Sequence, residues 1–129
     1  MVAEPPPALR RGAALFDAGD FYAAHEAWEE HWLEIGGSER DFYKGLIQAA
    51  VALLHWQRGN PLGAVKLRRS AAALLAPFAP THRGVRVTCF LARLEAHFAP
   101  LERALAHKMP APAPDSATRP RLELEDSTP

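Results

Sequence analysis

At 129 residues the chain is long enough for one domain with a single core and too short to need a second. Its 15 lysines and arginines balance 15 aspartates and glutamates, so no net field draws it to nucleic acid or to an anionic membrane, and neither is expected as a partner. Glu4 and three prolines follow Met1 where a secretory leader would be apolar, and no apolar run approaches the roughly 20 residues of a membrane span; the expected location is cytoplasmic.

Met1–Pro7 is a proline-rich lead whose last proline suits the first turn of a helix, and Leu9, Ala13, Leu15 and Phe16 follow at roughly helical spacing before Gly19. Asp20 is a good N-cap for a second helix running to Ile35, stopped by Gly36 and Gly37. Ser38 is expected to cap a third helix from Glu39 to Arg58, closed by Gly59; Asn60-Pro61 then opens a fourth, to about Ala76, as cap and first-turn proline. The third helix is apolar around most of its circumference, which marks it as central. Its continuous polar strip is Lys44, Gln48 and His55.

Pro77 and Pro80 interrupt the chain, Thr81–Gly84 reads as a loop, and from Val87 a fifth pattern would bury Phe90, Leu91, Leu94 and Phe98. Pro100 is expected to kink or split this helix, because proline lacks an amide donor and collides with the preceding turn; Leu101–His107 could continue it. The lone Cys89 lies in this mostly apolar run and reads as a small buried hydrophobe in a reducing compartment. From Met109 onward, prolines at 110, 112, 114, 120 and 129 forbid regular structure, and the tail is expected to order only if Leu122 and Leu124 find a groove. The expected organisation is one helical domain over residues 1–108 and a proline-rich tail over residues 109–129.

The chemistry concentrates between Asp20 and Ile35. At about 100° per residue, Phe21, Trp28, Trp32 and Ile35 share an apolar face, and His25 and Glu29 fall inside the same arc while Glu30 and Glu34 point to water. His25 and Glu29 are four apart, so they stack on one face and could share a proton or a metal ion. Further groups would have to come from the third helix, where Gln48 and His55 are the candidates, with Glu26 at the edge of the arc. Short connections make the second, third and fourth helices antiparallel neighbours. Periodicity leaves open whether the polar strip of the third helix faces the second helix or solvent. This facing predicts that His25→Ala destabilises more than His31→Ala, because only the former leaves an inward carboxylate without its partner.

Sharper motifs are absent. Glu29 stands where a zinc protease has its second histidine, and no Glu-x-x-His, phosphate-binding glycine loop or Cys-x-x-Cys occurs. Arg93–His97 and Arg103–His107 are spaced one short of the Arg-x4–6-His pattern of helical ribonuclease toxins, and the three tryptophans read as core. Eight acids against Arg40 alone lie between Asp17 and Asp41, whereas Phe42–Lys108 carries ten bases against Glu95 and Glu102. These two blocks are expected to neutralise each other across packed helices rather than form docking faces.

The blocks Phe16-Asp-Ala-Gly-Asp-Phe-Tyr-Ala-Ala-His-Glu-Ala-Trp-Glu-Glu-His-Trp32, Phe42-Tyr-Lys-Gly-Leu-Ile-Gln-Ala-Ala-Val-Ala-Leu-Leu-His55 and Arg58-Gly-Asn-Pro-Leu-Gly-Ala64 resemble, over about residues 10 to 100, the prokaryotic and plastid family filed as domain of unknown function three hundred and nine. The resemblance implies a compact all-helical domain and no established activity. Its pattern matches His25, Glu26, Trp28, Glu29, Trp32, Gly45, Gln48 and His55, and leaves out the tail after Met109.

The fold class expected is therefore all-α, a compact bundle of five to six helices around a buried third helix, with an irregular proline-rich tail. The functional expectation is a binding or interaction module in which His25, Glu29, Gln48 and His55 form an inter-helix polar cluster that orders the helix pair or receives a small ligand. The alternative is a metal-dependent hydrolase with His25, Glu29 and His55 holding a divalent ion and Glu26 as base. Partners would be a small ligand or a protein, and the high apolar content leaves room for a homodimer.

Overall fold

The computed structural model describes residues 5–125, which form five α-helices and no strand. They are α1 (Pro7–Asp17), α2 (Phe21–Trp32), α3 (Glu39–Gln57), α4 (Pro61–Leu75) and α5 (Val87–Ala106). The breaks come from local chemistry. Pro7 opens α1, Gly19 takes φ 89° after it, and Asp20 caps α2 by accepting from the Ala23 amide at 3.1 Å. Asn60 caps α4 in the same way, from the Gly63 amide at 3.1 Å. Ser38 departs from its expected role: its backbone is already helical and its side chain caps nothing, so α3 opens on turn hydrogen bonds from Arg40 and Asp41 to the carbonyls of Gly37 and Ser38. α2 ends at Trp32, short of Ile35, and Leu33 and Glu34 follow in a turn.

α3 is the hub. Nine of its 19 residues are buried, from Phe42 to Trp56, and its main packing partners are α4 and α2. Close approach is possible because the contact surfaces are built from small residues: Ala49, Ala50 and Ala52 on α3, Ala24 on α2, Ala64 and Ala71 on α4 are all fully buried. Gly45 lies so near α4 that a Cβ there would stand 2.7 Å from Leu75 Cγ. On the other side, α1 clamps α2 through Trp28, whose indole lies on Gly12 and donates to the Leu9 carbonyl at 3.3 Å. Phe16 joins these layers, meeting Phe21 and Phe90 edge to face and Trp28 at a tilt of 36°.

α5 runs unbroken through Pro100 rather than splitting there. Pro100 and Ala96, whose carbonyl loses its helical donor, are both exposed, so water can satisfy the freed oxygen. Cys89 is exposed rather than buried, because it sits beside Phe90 on the outer side of α5. α4 and α5 are tied by Glu102, which accepts from Arg68 at 2.9 Å and Arg69 at 3.2 Å.

Beyond α5 the chain is irregular save for a 3-10 turn at Ser116–Thr118, yet it is held down along its length. Leu122 is 2% exposed and Leu124 packs on the core, so both leucines do find a groove. The Asp17 carboxylate accepts from the Leu122 and Glu123 amides at 2.7 and 3.0 Å, Arg119 donates to the Asp17 carbonyl at 2.9 Å, and Trp56 donates to the Pro112 carbonyl at 2.8 Å. A backbone without a sheet or helix of its own satisfies part of its polar groups by borrowing partners from the bundle.

Gly12→Ala is expected to lower the unfolding free energy by at least about 1 kcal/mol, since overlap with the enclosed Trp28 indole outweighs the gain in helix propensity of about 1 kcal/mol. Gly36→Ala, with nothing within 4 Å of its Cβ, is expected to stay within about 0.5 kcal/mol of the parent. Urea unfolding of the two variants checks both.

Candidate functional site

The inward face of α2 is set by Phe21, Ala24, Ala27 and Trp28, all buried. It is rotated away from the arc expected from the large residues alone, and Trp32 and Ile35 are only partly buried. The consequence falls on the two histidines. His31 lies nearer the buried side, its ring 4.7 Å from that of Tyr43 on α3. His25 lies at the margin, with its side chain 19% exposed, and Glu29 stands half in water at 50%.

His25 donates from Nδ1 to the Tyr22 carbonyl at 2.6 Å, since a carbonyl can only accept, and this leaves Nε2 toward Glu29 at 3.6 Å. The pair expected from the sequence is thus brought together. It is not joined to the other two candidates: among the described residues no hydrogen bond links His25 or Glu29 to Gln48 or His55. Gln48 and His55 are part-buried on α3, and the Gln48 Oε1 is buried without a partner.

The three-ligand arrangement of His25, Glu29 and His55 is not formed, because no group of three His, Cys, Asp or Glu side chains among the described residues is placed to hold a metal ion. The physical reason is the rotation of α2, which buries Phe21, Ala24, Ala27 and Trp28 and leaves Glu29 exposed. Glu26, the candidate base, is exposed beside it.

What α2 does present is a shallow groove of about 380 Å³ lined by Tyr22, His25, Glu26, Glu29, Glu30 and Leu33. Tyr22 and Leu33 are 49% and 68% exposed. The neutralisation of acidic by basic blocks is partial. Glu39 faces His82 Nε2 at 2.8 Å and Arg83 Nε at 3.3 Å, whereas at the groove the pairing is looser: Arg11 lies 3.7 Å from Glu30 with both side chains mostly in water, and the Arg58 guanidinium stands 5.8 Å from the centre of the Tyr22 ring. No helix among the described residues is long and apolar enough to cross a membrane.

A second site was not anticipated. A cavity of about 260 Å³ opens where the start of α2 (Phe21), the end of α3 (Leu53, Gln57), α5 (His97) and the tail (Pro114, Asp115, Ser116, Arg119) converge. His97 is 3% exposed and packs on Trp56 at 5.0 Å between ring centroids. Its Nδ1 lies 2.9 Å from the Thr118 hydroxyl, which in turn donates to the Asp115 carbonyl at 3.3 Å. The hydroxyl proton is committed there, so the hydroxyl oxygen accepts from Nδ1–H and Nε2 of the neutral ring is left as an acceptor. Burial, the largest influence, lowers the His97 pKa; Asp115 and the Thr118 contact raise it in part, and Arg119 lowers it further. The sequence carried one signal of this position: residue 97 falls three after Leu94 and seven after Phe90, on the stripe that α5 buries. On α3, burial and the nearby Glu39 carboxylate push Tyr43 up to about 12, so its enclosed hydroxyl stays neutral.

Residues 9–67, from α1 into α4, match the family described as Domain of unknown function (DUF309). An uncharacterized protein of Aquifex aeolicus (strain VF5) is 34% identical over 88 residues, which are 67% of this chain and 26% of the relative. The uncharacterized protein YpuF of Bacillus subtilis (strain 168) is 39% identical over 57 residues, 43% of this chain and 33% of its own length. The chain spans about a quarter to a third of the length of these curated relatives.

The geometry reverses the order expected for the α2 histidines. His31→Ala should lower the unfolding free energy by about 1 kcal/mol through the lost Tyr43 contact, and His25→Ala by less than about 0.5 kcal/mol, as befits a solvent-screened pair; urea midpoints decide. For His97, the folded value lies below the unfolded value of about 6.5. The unfolded chain therefore takes up the extra proton as pH falls through that window, and stability is lost on acidification. His97→Gln should show a smaller loss between pH of about 7.5 and 5.5 than the parent, read from unfolding midpoints at the two pH values.

Proposed function

For a chain carrying this DUF309 segment, we propose a non-catalytic binding module that uses the outer face of α2, including His25 and Glu29, to hold a basic segment of a partner protein. The observation that carries this reading is the groove of Tyr22, His25, Glu26, Glu29, Glu30 and Leu33. It sets three carboxylates between an exposed aromatic ring and an exposed leucine. Among the described arginines and lysines, Arg11 is the one ion-paired with these carboxylates, and Arg58 lies over the Tyr22 ring. A lysine- or arginine-bearing segment with an apolar residue complements both its charge and its flanks.

Two further facts support it. The groove lies on the family-matched segment, at residues 22–33 of the matched 9–67, and the relatives are three to four times longer than the stretch they share with this chain. A small domain inside larger proteins is where a module that holds a neighbouring segment belongs. Gln48 and His55 act in this reading through the interior, as polar groups of the helix that supports α2.

The test uses a short synthetic peptide of alternating lysine and leucine, titrated into the isotope-labelled protein and followed by amide chemical shifts. Saturable shifts confined to the exposed side of residues 22–33, weakening with added salt and at least tenfold weaker in a Glu26→Lys/Glu29→Lys variant, are expected. Shifts scattered over the surface, or unchanged affinity in the variant, would sink the reading. So would sedimentation showing that this face pairs two copies of the chain.

A further inference from the structure

The cavity at the tail is lined by the hydrocarbon of Phe21 and Leu53 together with the polar side chains of Gln57, His97, Asp115, Ser116 and Arg119. Arg119 has five N–H donors, and among the described residues one of them has a partner, from Nη2 to the Asp17 carbonyl. Its Nε is enclosed without a partner, and no carboxylate among the described residues pairs with the guanidinium. The guanidinium fills the room that Gly19 leaves, with Nη1 2.7 Å from where a Cβ would stand. A partly enclosed cation with an unpaired donor is stabilised by an anion that completes its hydrogen bonding.

The remaining groups restrict the class of anion. Asp115 spends one carboxylate oxygen capping the Ala117 amide at 2.9 Å and has the other for a donor. Nε2 of the neutral His97 is a second acceptor, fixed by the Thr118 contact at Nδ1. An anionic group for Arg119, an N–H or O–H donor for Asp115 and His97, and an apolar body for Phe21 and Leu53 together describe one kind of molecule. We infer that this cavity binds a small α-amino or α-hydroxy acid with an apolar side group, its carboxylate on Arg119, its donor on Asp115 and His97, and its side group on Phe21 and Leu53. The volume of about 260 Å³ lies just under the lower end of drug-sized pockets, roughly 300 Å³, which suits a molecule of this size. The site depends on α5 and the tail, outside the family-matched residues 9–67, and stands independently of the α2 groove.

Four compounds test the assignment on the full chain: L-leucine, 2-hydroxy-4-methylpentanoate, 4-methylpentanoate and leucinamide, with Trp56 fluorescence and amide shifts at residues 53, 57, 97 and 116 as readouts. Leucine or the hydroxy acid should saturate these signals, which also tells the two sources of the donor apart. 4-Methylpentanoate should bind at least tenfold more weakly, and leucinamide should give no saturable change. Arg119→Gln should abolish binding. Because Arg119 also anchors the tail, Ser116→Trp serves as a second variant that plugs the mouth at an exposed position and should likewise abolish it. No saturable change with either acid overturns the inference. Equal binding of leucinamide removes the role of Arg119, equal binding of 4-methylpentanoate removes that of Asp115 and His97, and binding undiminished in Ser116→Trp places the ligand elsewhere.

Discussion

The close packing of α3 against α2 and α4 governs the rest of the molecule. Helix axes approach closely only where the facing side chains are short, and here they are Gly45 and a series of alanines on all three helices. Each of these positions gains dispersion contacts with little loss of side-chain entropy. The rotation of α2 about its axis buries Ala24 and Ala27 along with Phe21 and Trp28. That rotation turns Glu26, Glu29 and Glu30 to water and brings His31 to Tyr43. The acidic groove is thus a by-product of how the interior closes.

The tail is the second structural commitment. Asp17, at the end of α1, holds the Leu122 and Glu123 amides with its carboxylate and Arg119 with its carbonyl, across more than 100 residues of sequence. Leu122 enters the core, Arg93 donates to the Arg121 carbonyl at 3.2 Å, and the Glu125 amide reaches the Gly84 carbonyl at 2.7 Å. By crossing the junction of α2, α3 and α5, this strap closes one side of a cavity that the helices alone would leave as an open surface. The two candidate sites therefore differ in origin. One is a helix face fixed by the family-matched core, and the other exists because the tail lies where it does.

Electrostatics follow the same division. Where acids and bases meet across elements, as at Glu102 with Arg68 and Arg69 or at Glu39 with His82 and Arg83, they tie helix to helix or helix to loop. Where they meet only loosely and in water, on the outside of α2, and around Arg119, charge is left for something else. A charge that the fold does not consume is a stronger pointer to binding than one that it does.

The sequence by itself determined the helices, because their ends are written in residues that act on their own neighbours: Pro7, Asp20, Gly19, Asn60 and Pro61 cap or break within a turn. It also determined that α3 is central, since nearly uniform apolarity has no other stable home, and it brought His25 beside Glu29, since four residues on a helix guarantee that. Only the tertiary structure decided which way α2 faces, because alanine is nearly silent in a hydrophobicity pattern and yet Ala24 and Ala27 lie on the buried face. It alone left the Glu29 side chain half in water, exposed Cys89 and buried His97. It alone carried the tail to Asp17 and Trp56, because hydrogen bonds between a proline-rich segment and residues scores of positions away leave no periodicity to read.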